Sequence, residues 1–182
     1  DQTWQNWIIV TGDVTVPDGI TLTIEPGTFI EFSADADDTY GGADPAKCEL
    51  IVLGALVADG TSDNRIVLTS DAETPEPNDW YGLRFIDPAD NTCAVNYCEI
   101  IWAVSGITLD TASPPISNCE IYNCSYRGIT GSTSEVYPNI SSNTIHDNGS
   151  DDNGHGIYLN CRSDIDVILT DNYIHDNQGI GI

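Results

Sequence analysis

The chain has 182 residues, of which 29 are acidic and 5 are Lys or Arg, so its formal charge at pH 7 is −24. Nucleic-acid backbones and anionic membrane surfaces are bound by clustered cations, so this balance excludes a general nucleic-acid-binding protein and argues against a membrane partner. Hydrophobic residues make up 40% of the chain, enough to bury a core, and no apolar run reaches the length of a membrane span. The length suits one domain spanning residues 1–182.

The first part of the chain consists of short strand-like runs. Between residues 7 and 32 these are WIIV, DVTV, ITLTI and TFIEF, which are rich in β-branched and aromatic residues and are separated by the turn sequences PDG and EPG. We interpret residues 1–32 as an N-terminal cap and a first coil, with Trp4 and Trp7 in the cap. The opening DQTWQNW has no basic start and no apolar signal core, which is typical of the mature end of a processed chain.

Two polar segments, 33–47 and 70–79, interrupt the strands. Both contain Pro or Gly residues that block a continued strand, so we predict that they are outward loops. The first segment carries four carboxylates, Asp35, Asp37, Asp38 and Asp44. Because calcium is bound by several oxygen ligands, this loop is a candidate calcium site, although its spacing is not that of an EF-hand. A solvated acidic loop is the simpler interpretation, and nothing else in the sequence requires a cofactor.

Between residues 93 and 182 one phrase recurs four times. Cys or Asn begins it, Ile follows two residues later, and a Gly-Ile pair closes it. The phrase begins at Cys98, Cys119, Asn143 and Asn172, so its steps are 21, 24 and 29 residues. A period of this size, made of short strands without helical spacing, predicts a parallel β-solenoid of about seven or eight coils.

The exchange of Cys and Asn in the phrase predicts stacked columns. Asn at a tight bend tolerates a left-handed backbone, and its side-chain amide can bond to the Asn one coil away. The expected ladders are Asn143 with Asn172, and Asn148 with Asn177. A small cysteine is stable when buried and can take the place of Asn in such a column.

The cysteines number six and contain no CxxC pair: Cys48, Cys93, Cys98, Cys119, Cys124 and Cys161. This pattern favours disulfides over zinc and therefore an oxidising, extracellular location. Cys98 and Cys119 share a column on adjacent coils, about 4.8 Å apart. We predict a disulfide between them, which would enclose about twenty residues and stabilise the fold by about 3 kcal/mol. The partners of the other cysteines stay open.

Three Asn-x-Ser sequons make glycosylation a further expectation for a secreted chain. They begin at Asn123, Asn139 and Asn148. A chain rich in Asn, Ser and Thr also contains such sequences by chance, so both interpretations stay open.

Longer stretches resemble a known family. GDVTVPDGITLTIEPGTFIEF, LIVLGALVADGTSDNRIVLTS and WYGLRF resemble the start of right-handed parallel β-helix repeat proteins of the pectin-lyase-like superfamily, and NTIHDN and NYIHDN are similar to its short repeats. The resemblance covers nearly the whole chain and implies an all-β fold, a right-handed parallel β-helix. It implies no single function, because the superfamily includes lyases, hydrolases, adhesins and surface structural proteins.

One segment resembles a catalytic motif. Asp151-Asp152 and Gly154-His155-Gly156 resemble motifs of polygalacturonases, which use paired carboxylates as acid and base. In those enzymes the two motifs lie one coil apart, whereas here they lie two residues apart. The Arg-Ile-Lys motif of the same enzymes is also missing, since Arg162 is followed by Ser-Asp-Ile. A turn rich in Gly and Asp is the favoured interpretation.

The other ionisable residues give no catalytic motif. Lyase chemistry needs an Arg or Lys base beside calcium-bound carboxylates, and no such motif surrounds the basic residues Lys47, Arg65, Arg84, Arg127 and Arg162. His146 and His175 share a column, each followed by Asp, and such a pair could hold zinc or copper. The matching earlier positions are Ile101 and Tyr122, which favours an outward polar column instead.

We therefore predict a secreted, non-catalytic structural β-helix of a cell-surface layer, sheath, extracellular filament or adhesin. At the C-terminal end, Ile174, Ile180 and Ile182 would expose the last core layer beside unpaired strand edges. Copies of the chain are then the expected partners, unless further coils follow in a longer chain. The alternative is a β-helix protein that binds polysaccharide or degrades it as a lyase or hydrolase. The obvious outward aromatic residues do not form one column: Trp102, Tyr122, Tyr126 and Tyr158.

Overall fold

The computed structural model describes residues 1–89, 92–110, 112–131, 136–150, 153–160 and 166–182. These residues form three sheets in which every pairing of neighbouring strands is parallel. Sheet A contains β1 (Gln2–Trp4), β4 (Thr21–Ile24), β7 (Ala55–Asp59), β10 (Ala94–Asn96), β13 (Ile116–Ser117), β16 (Asn139–Ser141) and β19 (Ile168–Thr170). Sheet B contains β2 (Trp7–Val10), β5 (Phe29–Phe32), β8 (Ile66–Ser70), β11 (Cys98–Ile101), β14 (Glu120–Tyr122), β17 (Thr144–His146) and β20 (Tyr173–His175). Sheet C contains β3 (Val14–Val16), β6 (Glu49–Val52), β9 (Gly82–Ile86), β12 (Ser105–Asp110), β15 (Arg127–Gly131) and β18 (Ile157–Leu159).

The chain passes through sheets A, B and C in turn, and each passage is one coil. Within each sheet, an inner strand pairs with the strands three positions earlier and three positions later in the chain, and an end strand pairs with one of them. Each coil therefore bonds only to its neighbours. The strands make seven coils, of which the seventh has strands in sheets A and B within the described residues. The predicted all-β, right-handed parallel β-helix is thus confirmed, and the number of coils lies within the predicted range.

The interior of the solenoid is a set of stacked apolar columns. In sheet B the strand register places Ile30, Ile100, Ile121 and Ile145 in one such column, and each of these side chains is fully buried. Burying one such side chain contributes about 1.5–3 kcal/mol, so the repeated Ile of the phrase supplies the hydrophobic core.

In coils 4 to 7, the corner between sheets A and B and the corner between sheets B and C are each made by one residue with a left-handed backbone. Between sheets A and B these residues are Tyr97, Asn118, Ser142 and Asp171, and between sheets B and C they are Trp102, Asn123, Asp147 and Asp176. The sequence interpretation assigned this conformation to the ladder asparagines, which is wrong, because each ladder residue directly follows the left-handed one. The left-handed residue turns the chain, and its successor then points its side chain inward.

The two predicted loops lie at the same corner, between sheets B and C. Residues 33–47 connect β5 to β6 in coil 2, and the following connection, from β8 to β9, begins at residue 71 because residue 70 still belongs to β8. The loops bond to each other, since the Asp35 N–H donates to the Asp79 carbonyl at 2.9 Å. Residues 1–32, expected to hold a cap and the first coil, contain all of coil 1 and the first two strands of coil 2.

Candidate functional site

The cysteines that the structure describes are buried and form no disulfide with one another: Cys48, Cys93, Cys98, Cys119 and Cys124. Burial raises the pKa of the Cys48 thiol to about 11 and that of Cys124 to about 12, so both groups stay protonated and unreactive near neutral pH. Cys161 lies outside the described residues. These thiols fill space in the core rather than provide chemistry.

Cys98 and Cys119 do lie on adjacent coils, because β11 and β14 pair Glu99 with Glu120. The predicted disulfide is nevertheless not formed, and a hydrogen bond between the two thiols, together with burial, raises the pKa of Cys98 well above its usual value. In-register parallel strands are related by a shift of about 4.8 Å. The two Cβ atoms are therefore separated by about that distance, whereas a disulfide needs about 3.8 Å.

The asparagine ladders run along the axis at two corners. Asn143 accepts a bond from the Cys119 N–H at 2.9 Å and donates its own amide to Asn172 Oδ1 at 2.9 Å. In the second ladder Asn148 accepts from the Cys124 N–H at 3.1 Å and donates to Asn177 Oδ1 at 2.9 Å. A cysteine thus donates its backbone N–H to the ladder but has no side-chain amide to continue it, so the ladder ends where Cys replaces Asn.

The sequons differ in accessibility. Asn148 is fully buried in its ladder and donates to the Ile121 carbonyl at 3.1 Å, so its side-chain amide is not accessible in the folded protein. Glycosylation of the sequons stays a prediction. Asn139 begins β16 and is exposed, and Asn123 is a half-buried corner residue. The accessible candidate is therefore Asn139.

The four carboxylates of loop 33–47 have separate partners. Asp35 forms an ion pair with Lys47, Asp38 accepts from Thr11 Oγ1 at 2.8 Å, and Asp44 accepts from the Ala46 N–H at 3.0 Å. The fourth, Asp37, accepts backbone bonds inside the loop. Among the described residues no group of three or more His, Cys, Asp or Glu side chains is arranged to hold a metal ion. The structure thus does not bring the predicted calcium ligands together.

Beneath this loop lies a group of carboxylates that the sequence analysis missed, which we call the carboxylate cluster: Asp13, Asp37 and Glu49. The Glu49 side chain is fully buried and pairs with Arg84 Nη1 at 2.6 Å. Asp13 Oδ1 accepts from the Glu49 N–H at 3.0 Å. Burial, followed by the charges of Glu49 and Asp37, raises the pKa of Asp13 to about 6. Strand register is the signal that could have revealed this cluster, because the pairing of Val14 with Leu50 places Asp13 beside Glu49.

The outer face of sheet B carries a stack of rings along the axis. Tyr122, His146 and His175 have successive ring centroids 4.9 Å apart, and the rings are nearly parallel. Nδ1 of each imidazole lies 2.7 Å from the carboxylate of the next residue, Asp147 or Asp176. Lone pairs in parallel ring planes do not converge on one ion, so this geometry disfavours a shared zinc or copper and matches the outward polar column.

Sheet B also presents an aromatic pair that the sequence analysis did not find. Trp7 and Phe29 are register partners in coils 1 and 2, and their side chains are 66% and 40% exposed. Trp7 Nε1 donates to Glu31 Oε2 at 2.6 Å, which fixes the indole. The sequence placed Trp7 in a cap, but the alternation of WIIV already puts Trp7 and Ile9 on the outer face.

The basic side chains that the structure describes make structural contacts. Besides the pairs of Lys47 and Arg84, Arg65 donates to the Asn118 carbonyl at 2.8 Å. The Arg127 guanidinium lies 4.2 Å from the ring centroid of Tyr126 and 3.7 Å from that of Tyr158. Arg162, Asp151 and Asp152 lie outside the described residues, so the segment that resembles polygalacturonases is described only from residue 153. There His155 Nδ1 accepts from the Ile180 N–H at 2.9 Å.

Comparison with known families agrees with this architecture. Residues 77–182 match the family described as a right-handed β-helix region, and residues 3–101 match a pectate-lyase-like β-helix domain. The chain belongs to the right-handed β-helix family. No curated protein and no solved structure matches the chain. None of the described residues belongs to a helix long and apolar enough to cross a membrane.

Proposed function

We propose that this chain is a secreted, non-catalytic structural β-helix of a cell-surface layer, sheath, extracellular filament or adhesin. The observation that carries the proposal is the axial pairing of outward polar groups on sheet B. Glu31 binds Trp7 one coil away, and Glu99 accepts from the Tyr122 hydroxyl at 2.6 Å. Groups used in this way hold neighbouring coils together rather than converge on a substrate.

The partners we propose are copies of the same chain, joined through the solenoid ends. At coil 7, Ile180 and Ile182 are each 67% exposed and border a recess of about 470 Å³ whose lining includes Leu159 and Leu169. At coil 1, the half-buried side chains of Trp4 and Val14 line a further recess. Covering such surfaces would stabilise a contact by about 25 cal/mol for each Å² of apolar area removed from water.

An extracellular location is part of the proposal. Because the described cysteines form no disulfide with one another, disulfides no longer support it. The supporting observations are the exposed sequon at Asn139 and the charge of −24, which suits a medium rich in cations.

Assembly is tested by sedimentation velocity and electron microscopy at low and high salt. We expect oligomers or filaments that grow with salt, because cations screen the acidic surface. The double variant Ile180→Ser/Ile182→Ser should dissociate them. Tyr137→Ser is the matched control, since Tyr137 is 54% exposed but lies in a side loop. A wild-type protein that stays monomeric at high salt would contradict the proposal.

Polysaccharide binding is the second candidate, favoured by the exposed pair Trp7 and Phe29. Exposed aromatic rings offer sugar rings a flat apolar contact, and Glu31 fixes the indole in place. Affinity electrophoresis in gels that contain neutral or uronic-acid polysaccharides tests this function. Retardation that Trp7→Ala removes and Tyr137→Ala keeps would support binding. A separate assay for uronic-acid degradation tests catalysis.

A further inference from the structure

The carboxylate cluster holds more negative charge than its surroundings neutralise. It lies where loop 33–47 closes over the corner between β2 and β3, and its cationic partner is Arg84, which pairs with Glu49 at 2.6 Å. The other ionisable groups around the cluster come from the loop, from the residue before β6 and from the residue before β9: Asp38, Asp44, Cys48 and Tyr81. Three ionised carboxylates beside one guanidinium would leave an excess of two negative charges.

Hydrogen bonds assign the charges within the cluster. Asp37 accepts from the N–H groups of Thr39 at 2.9 Å and Gly41 at 3.0 Å, which favours its ionised form and holds its pKa below the usual value despite burial. Glu49 accepts from Arg84 and from the Ala43 N–H. Asp13 differs, because its Oδ2 atom is buried and has no hydrogen-bond partner in the described part of the chain.

The space beside this oxygen is occupied by the loop itself. A Cβ atom on Gly41 would lie 2.9 Å from Asp13 Oδ2 and one on Gly42 would lie 2.8 Å from it, so the bare glycine backbone packs against the oxygen. Gly42 also has a φ of +61°, which favours glycine. An ionised Oδ2 would therefore be held against the glycine backbone, next to two other carboxylates, without a hydrogen-bond donor.

We propose that Asp13 carries a proton while the loop is closed, and that loop 33–47 is a pH-sensitive strap that loosens when this proton is lost. The pKa of about 6, raised by burial and by the charges of Glu49 and Asp37, sets the range of the change between mildly acidic and neutral pH. Opening the strap lets Oδ2 reach water and moves Asp37 away from Asp13. The N–H groups of Thr39, Gly41 and Ala43 then lose their carboxylate acceptors.

Hydrogen exchange of the full chain tests the strap. Exchange times are corrected for the intrinsic effect of pH, and peptides from residues 33–47 are compared at pH 5 and pH 8. We expect the corrected exchange of this loop to rise about tenfold, while β12 (Ser105–Asp110) stays unchanged. Asp13→Asn should remove the pH dependence. Asp38→Asn, which changes an exposed carboxylate of the same loop, should keep it.

A second measurement does not depend on a variant. Carbon-13 NMR follows the carboxyl groups of the wild-type protein, and the Asp13 signal is assigned through its own backbone resonances. This carboxyl group should titrate near pH 6. A midpoint below pH 5 overturns the proposal. Loop exchange that is equal at pH 5 and pH 8, or a pH dependence that Asp13→Asn retains, overturns it as well.

Discussion

Coils 2 and 3 turn from sheet B to sheet C in a different way from coils 4 to 7. The later coils use one left-handed residue, such as Asn123 or Asp147, followed by an inward side chain of the ladder. The earlier coils use long loops, of which residues 33–47 are held by the buried carboxylates of Asp37 and Glu49. The side chains that point inward at the short corners are uncharged and repeat from coil to coil, whereas the long corner buries carboxylates. The stability of the long corner should therefore depend on pH more strongly than that of the inward ladders.

The largest effect should come from the core beneath the long loops. Trp80 is fully buried, stacks on Phe32 with ring centroids 4.1 Å apart, and donates to the Ile101 carbonyl at 2.8 Å. Trp80→Ala should lower the free energy of unfolding by about 3–5 kcal/mol in urea titrations. Trp7→Ala removes an exposed indole and should cost less than about 1 kcal/mol. Equal costs would show that this core is not tightly packed.

The ladder corner should be the next most sensitive. Asn148→Ala leaves the Cys124 N–H and the Ile121 carbonyl buried without partners, so it should cost about 2–4 kcal/mol in the same titrations. Asn139→Ala, at an exposed position, should cost less than about 0.5 kcal/mol. A small cost at Asn148 would mean that water replaces the ladder bonds.

Substitution at the long corner should change the free energy of unfolding in a way that depends on pH. The folded protein holds the Asp13 proton with a pKa of about 6, above the unfolded value of 3.8, so ionisation destabilises the fold as pH rises from about 4 to about 6. Asp13→Asn should therefore stabilise the protein at pH 8 by about 1–2 kcal/mol, after allowance for partial solvent access, and have little effect at pH 4. Urea titrations at both pH values measure this. Asp38→Asn should show no such gain.

The smallest effect concerns the left-handed corners themselves. Ser142 has a φ of 59°, a conformation that costs energy for any residue with a Cβ atom. Ser142→Gly should raise the thermal midpoint slightly, corresponding to about 0.5 kcal/mol. Ser141→Gly, one residue earlier within β16, should lower it. Changes of the thermal midpoint in opposite directions at these two neighbouring positions would locate the turn at Ser142.

The fold was predictable because the sequence pattern of a solenoid is local and recurs in every coil. Each coil repeats the same apolar positions, so the columns of Ile and Asn could be aligned without knowing any long-range contact. The left-handed position was assigned to the ladder residue because Asn suits both roles. The sequence could not show that Ser142 or Trp102 makes the turn and that the Asn or Ala after it points inward.

The candidate site was less accessible to sequence reasoning. Asp13 and Glu49 are separated by a full coil and a long loop, and only the pairing of β3 with β6 brings them together. The disulfide between Cys98 and Cys119 was predicted from proximity, yet the two thiols form a hydrogen bond and not a disulfide. The exposed pair of Trp7 and Phe29 was missed because Trp7 was assigned to a cap.

Because each coil bonds only to the coils on either side, the molecule has a defined response to mechanical force. A pull between residue 1 and residue 182 runs along the axis, and the end coils are the first to lose their bonds. Coils would then detach one after another, beginning at the ends of the solenoid. Each detached phrase of 21 to 29 residues adds about 70–100 Å of extended chain. Under tension this protein would lengthen in steps and absorb work before its remaining coils separate.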